Sequence, residues 1–230
     1  AVAVATAGTV IEIHDGGLFE ETVELTEPVT VIGVGVRPVL RAGIPGDDDG
    51  VFRIDAEFQD FRFENLAFDG DTDSRALRIH RGRVHIVDCS FDHHSEESNG
   101  GTIVTESSTP TVLELVDSVF TDSVAGADGG FVSMPNGALD VIGCAFSGGR
   151  AQDGGAIQMA AGSLTVVAST FDDNAATENG GAIQSDGDLD VVDSWFRTNS
   201  AATAAGAIAQ DGASSTFTRV VFCDNQAGGQ

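Results

Sequence analysis

Two short motifs recur along the chain at one shared spacing, and that spacing limits the folds open to it. The first is a Gly-Gly or Ala-Gly step followed by a short apolar run. It reads GGTIV from Gly100, GGFVS from Gly129, GGAIQ from Gly154, GGAIQ from Gly180 and AGAIA from Ala205, with the second glycines 29, 25, 26 and 25 residues apart. The second motif ends in Phe: VHIVDCSF at Phe91, LELVDSVF at Phe120, LDVIGCAF at Phe146, LTVVASTF at Phe171, LDVVDSWF at Phe196 and the variant FTRVVF at Phe222. These Phe residues are spaced 29, 26, 25, 25 and 26 apart, and an earlier copy, FRFENLAF, ends at Phe68. Two independent motifs holding one period of about 25 residues mark a stack of repeated units.

A period of this length fits a leucine-rich repeat, a helical pair or a β-solenoid. The segments between motifs are Gly, Asp, Asn, Ser and Thr, which favour turns over helix interiors. The LxxLxLxxN pattern of leucine-rich repeats is absent. Short β-branched runs separated by turns remain, and they predict an all-β right-handed parallel β-helix of about nine coils of about 25 residues. Parity within LTVVASTF agrees. Leu164 and Val166 share one face, Ser169 and Phe171 share a face of opposite parity, and one bend near Ala168 lets both pairs point inward. The bend column reads Asn65, Asp88, Asp117, Gly143, Ala168 and Asp193, and Asn, Asp and Gly tolerate left-handed backbone. Stacking then predicts an internal column of Phe91, Phe120, Phe146, Phe171, Phe196 and Phe222. A second column runs through Ile103, Val132, Ile157, Ile183 and Ile208.

The chain carries 36 acidic residues against 11 arginines and no lysine, a net charge of −25. That sign excludes a nucleic-acid backbone as partner. Dense Asp suits a hydrated surface in salt, a halophilic-type composition; an acidic, Arg-biased proteome with no salt requirement; or calcium ligation. No apolar run approaches the roughly 18 residues of a membrane helix. The opening Ala1–Ala7 lacks the positive start of a signal peptide and fits the first residues left after cleavage of one. Cys89 and Cys144 share a column with Ser118, Ser169 and Ser194. With the Ser118 coil between them they lie about 10 Å apart, too far for a disulfide, so they read as small buried fillers.

The period divides the chain into irregular N-terminal coils and a cap over 1–68, with strands expected at Val10–Ile13, Thr22–Leu25, Val29–Val34, Val51–Asp55 and Phe58–Phe63, and regular coils over 69–230. The first part carries Pro28, Pro38, Pro45 and the loop Gly46–Gly50. The chain stops at Gly228-Gly229, where another coil would begin, which points to a segment of a longer chain or to end-to-end self-association by stacking.

GGAIQ at Gly154 and Gly180, alternating with FDDN at Phe171 and FRTN at Phe196, resembles the GGA[ILV]/FxxN pair of the polymorphic outer-membrane protein family of chlamydiae and of related bacterial β-helix surface proteins. FCDN at Phe222 fits as well, whereas FDHH, FTDS and FSGG at Phe91, Phe120 and Phe146 keep the Phe and lose the Asn. The resemblance covers about residues 84–230. The stretch TVIEIHDGGLFEETVELTEPVTVIGVG is similar to the opening coils of pectin-lyase-like β-helices. The first resemblance implies an exported, secreted or cell-surface, outer-membrane-associated chain acting as an adhesin or stalk; the second keeps a polysaccharide lyase or glycoside hydrolase as the alternative.

Chemistry-bearing residues concentrate at 69–97, which holds four of the five histidines and four of the eleven arginines. Arg78 and His80 share a face by alternation and, with Asp73, are the catalytic candidates; a lyase needs a base and a hydrolase needs paired carboxylates. The Gly-His-Gly and Arg-Ile-Lys motifs of polygalacturonases are missing. Asp69, Asp71 and Asp73 alternate like a calcium loop, but Ser74 and His80 replace the EF-hand Gly and Glu, so calcium is a possible cofactor without an EF-hand. His93, His94, Glu96 and Glu97 offer transition-metal ligands, although adjacent histidines on a strand point oppositely. Asp172-Asp173 reads as a structural turn. Gln158 and Gln184 read first as a structural, stacked outward amide ladder, and second as a flat face able to bind a ligand. The expected partners are a carbohydrate or cell-surface ligand, or a second copy.

Overall fold

The computed structural model describes residues 6–43, 50–71, 74–106, 110–212 and 214–228, with Glu57 and Phe58 as backbone alone. Asp73, the loop residues 46–49 and Gly229 lie outside the described residues. No α-helix occurs among the described residues. The strands form three sheets of 15, 9 and 6 members, and the named strands pair in parallel, each with its counterpart one coil away. The coil that begins at Gly154 is representative. Ile157–Met159 and Ser163–Val167 lie in the first sheet, Thr170–Asp172 in the second and Ala175–Ala176 in the third.

Register follows the repeat. Phe68, Phe91, Phe120, Phe146, Phe171, Phe196 and Phe222 pair rung to rung. Their rings stack at 4.5–5.3 Å and lie within 21° of parallel. The column Ile103, Val132, Ile157, Ile183, Ile208 is likewise in register. From Phe68 to Phe196 the stacked rings are buried and fill the lumen, whereas Phe222, expected as an internal member, is 50% exposed on the last described rung. The stack makes about seven regular turns, from Phe68 to Phe222, fewer than the nine that length divided by period gives. The difference lies in the first coils. There Leu18–Glu20 and Val39–Arg41 extend the second sheet, with Phe19 and then Leu40 in the register of Phe68, so the column starts on Phe19 and is interrupted by a Leu. Phe52–Glu64 forms one 13-residue strand where two were expected. Register shifts around Asp55 let it turn the corner as a bulge instead of a break.

The expected bend column is real. Asn65, Asp88, Asp117, Ala168 and Asp193 have φ between 48° and 53°, Gly143 has φ 66°, and Arg219 continues the column at 54°. A second left-handed column lies two residues after each Phe from Phe91 on, at His93, Asp122, Gly148, Asp173, Thr198 and Asp224, while after Phe68 it falls one residue later, at Asp71. It turns the chain from the second sheet into the third. The Gly-Gly step needs glycine twice, for different reasons. The first member is left-handed, as at Gly154 with φ 59°. At the second, a Cβ on Gly155 would stand 2.2 Å from the carbonyl oxygen of Gly181 on the next coil. Close stacking therefore requires the second glycine, and local conformation requires the first.

Ala168 is exposed and has no side-chain atom to satisfy the backbone at its left-handed bend. Ala168→Asn is expected to raise the unfolding free energy by about 1 kcal/mol, because Asn tolerates this conformation and Ala does not. Urea titration of the two chains side by side measures it; an unchanged midpoint contradicts the account of the bend.

Candidate functional site

Leu77–Val87 places Arg78 and His80 on one outward face, as alternation requires. Both meet Glu106 one coil on: Arg78 Nη2 lies 2.6 Å from Oε1, and His80 Nδ1 lies 3.4 Å from Oε2. Further along the same sheet, Arg81 Nε donates to Asp55 at 2.9 Å and His85 Nδ1 sits 2.7 Å from Glu114 Oε2. The outward face is therefore a row of Arg–carboxylate and His–carboxylate contacts between coils. Glu106 and Glu114 were not among the residues singled out from sequence, since only the coil-to-coil register brings them to this zone.

Asp69 and Asp71 lie together at a corner, where the Asp71 amide donates to Asp69 Oδ1 at 3.1 Å. Arg41 reaches both, at 2.5 Å to Asp69 Oδ2 and 3.3 Å to Asp71 Oδ2. Burial alone would raise Asp69, but the Arg41 hydrogen bond and charge hold its carboxyl below the usual range. The third expected calcium ligand, Asp73, is outside the described residues.

The quartet His93, His94, Glu96 and Glu97 does not act together. His93 is half exposed and faces Asp92. His94 is 1% exposed, with Nδ1 2.9 Å from the Ser74 carbonyl oxygen. Burial pushes His94 down to about 4, against the opposing pull of the Ser74 and Phe68 carbonyls and the Asp69 and Asp92 carboxylates. Glu96 turns to the buried Arg75 at 3.3 Å, whose guanidinium also donates to the Ser98 hydroxyl and the Asn99 carbonyl.

Two internal ladders tie the coils together. Asn174 Nδ2 donates to Asn199 Oδ1 at 3.0 Å and to the Phe146 carbonyl at 3.2 Å. Asn199 repeats this one rung on, toward Asn225 Oδ1 at 2.9 Å and the Phe171 carbonyl at 3.0 Å. Each Oδ1 also accepts a backbone N–H from the preceding coil: Gly149 on Asn174, Asn174 on Asn199 and Asn199 on Asn225. The FxxN motif thus marks a buried amide ladder, and His94, Ser123 and Gly149 stand in the same column where the Asn is missing. The Cys/Ser column is the second ladder. The Cys89, Cys144 and Ser169 amides donate to the hydroxyls of Ser118, Ser169 and Ser194, each at 3.1 Å. Those hydroxyls donate in turn to the carbonyl two residues back, each at 2.8 Å. Cys89 and Cys144 are free and buried, and burial pushes their thiols up to about 12 and about 11, so they are inert at neutral pH.

Gln158 and Gln184 are register partners, but only 9% and 8% exposed. Gln158 accepts from the Ser133 hydroxyl and Gln184 donates to Asp186. This corrects the expectation of a flat outward amide face: local polar partners in a recess hold the two amides, and they offer little surface to a ligand. Asp173 sits at a left-handed bend, while Asp172 accepts from Arg197 and Thr198 of the next coil, as a structural turn does.

Sheets, stacks and ladders together define a parallel β-helix repeat protein. Within it, residues 168–186 match the Chlamydia polymorphic membrane protein repeat, and this stretch spans the Phe171–Asn174 corner and the Gly180-Gly181 step. No curated protein and no solved structure gives a significant match to the chain.

Proposed function

We propose that this chain is a surface-displayed, outer-membrane-associated β-helix acting as a non-catalytic stalk or adhesin module. The observation that carries this reading is the rung-to-rung register held from Phe68 to Phe222, together with the repeat match at 168–186. A rod of stacked coils whose core columns run along its axis resists bending and spaces whatever it carries. Its carboxylates keep it hydrated, and screening of their mutual repulsion supports folding as salt rises. The ligand class it presents to is a carbohydrate or another cell-surface group. Protease treatment of intact source cells tests display: cleavage before lysis supports it, and protection until lysis overturns it.

A second reading rests on the meeting of Arg78, His80 and Glu106: a polysaccharide lyase or hydrolase working on the outer face of the first sheet. Turnover of uronate polymers by the purified chain, lost in Glu106→Gln, would put this reading first; absence of turnover removes it. Calcium at Asp69 and Asp71 belongs to the same proposal. The ion has to displace Arg41 from the two carboxylates, so a thermal midpoint that rises with calcium and falls with chelator supports it, and an unmoved midpoint counts against it.

A further inference from the structure

We propose that Asp92, His93 and Asp122 form a surface site for a divalent transition-metal ion, bridging two successive coils. One ligand atom from each of the three lies within 4.8 Å of the other two. Asp92 ends the strand Ser90–Asp92, and His93 follows it at the left-handed bend with φ 56°. Asp122 occupies the equivalent bend one coil on, with φ 50°. The bend aims both side chains outward, and the coil spacing sets them side by side. His93 Nδ1 is 3.0 Å from Asp92 Oδ2, and the other Asp92 oxygen accepts from the Thr121 hydroxyl, which fixes the carboxylate plane as an outer-shell partner would. On the following coil the column holds Gly148, where a Cβ would stand 2.4 Å from Asp122 Oδ1, so glycine leaves room for that carboxylate.

The same two outer columns meet arginine at other rungs. Asp69 faces Arg41, Asp172 faces Arg197 and Asp173 faces Arg150. Between Asp92 and Asp122 the neighbour is an imidazole, a donor that ligates a cation where a guanidinium would replace one. One imidazole and two carboxylates with the remaining positions open to water suit Zn²⁺, Mn²⁺ or Co²⁺ and disfavour calcium, which prefers oxygen throughout. The site lies one rung on from the Asp69–Asp71 corner, Asp92 being the register partner of Asp69, and does not depend on the stalk reading.

Calorimetric titration of the chain with ZnCl₂ and MnCl₂ tests the proposal. The expected result is one ion per chain with a dissociation constant on the order of 1–100 μM, reflecting three ligands at the surface, two of them exposed and Asp92 half-buried. His93→Asn and Asp122→Asn, which keep a residue tolerant of the left-handed bend, are expected to weaken binding at least tenfold. His85→Asn, at a part-buried His–carboxylate contact on another sheet, is expected to leave it unchanged. Because the ion joins two coils, saturating metal should also raise the thermal midpoint by about 3–6 °C in the parent and not in His93→Asn. In solution, Mn²⁺ should broaden the ring resonances of His93 ahead of those of His14 and His85. Binding that survives both substitutions, several ions per chain, or no binding below millimolar metal overturns the site.

Discussion

Replacing Asn199 with Ala is expected to lower the unfolding free energy by about 3–5 kcal/mol. Asn199 is fully buried. Its Oδ1 accepts from both the backbone N–H and the side-chain amide of Asn174, and its Nδ2 donates to Phe171 O and Asn225 Oδ1. Truncation leaves a buried N–H on one coil and a buried carbonyl on another without partners, and each orphan costs about 1–3 kcal/mol. Asn199→Asp is expected to be as damaging, since it keeps the acceptors, loses both donors and buries a charge. Asn225, only partly buried at the last described rung, is expected to matter less. Chemical denaturation of the three variants measures the order; an Asn199→Ala loss under 1 kcal/mol would mean that the amide ladder is incidental to stacking.

The second large effect is one of pH, and it resides in His94, which stands in the Asn column. In the unfolded chain an ordinary imidazole titrates near 6.5, whereas burial holds the folded His94 at about 4. Between those values the unfolded state binds the extra proton, so the His94 contribution to stability falls as pH drops from 6.5 to about 4, and that contribution is level on either side. The full swing is about 3 kcal/mol. His94→Asn replaces the ring by an amide whose Nδ2 can reach the Phe68 carbonyl, as Asn174 reaches that of Phe146. Whatever the substitution costs at pH 7, the loss on going from pH 7 to pH 4 should shrink by about 3 kcal/mol relative to the parent. Denaturant midpoints of both chains across this range, with chelator present so that Asp92 and His93 hold no ion, provide the comparison. Parallel pH curves would show that His94 charges freely in the fold.

Much of the fold was legible in the chain itself, because a solenoid repeats its physics every coil. The Phe column, the aliphatic column and the bends at Asn65, Asp88, Asp117, Gly143, Ala168 and Asp193 all follow from period and parity. The Cys89 and Cys144 separation follows from the same counting. The site was less legible. Alternation put Arg78 and His80 on one face, but their shared partner Glu106 lies beyond Gly100-Gly101, on the next coil. The spacing of Asp69 and Asp71 reads as a calcium loop, whereas their contact with Arg41, 28 residues before Asp69, appears only once the coils stack. The recurring Asn of FxxN carried a signal of its own, since a polar residue repeating in one column beside an internal Phe has to find its partners along that column.

Sequence alone determined which residues stack, since equal spacing forces like residues onto successive rungs wherever the backbone pairs in parallel. Tertiary structure decided what each stacked residue touches. Gln158 and Gln184 point outward yet are covered, and His93 and His94 are neighbours with one in solvent and one in the core. Asp92 meets Asp122 through a bend that no strand parity describes. Period is a property of the backbone ladder and is written along the chain; contact across a corner depends on where the sheets turn, and that is set only when the coils close on one another.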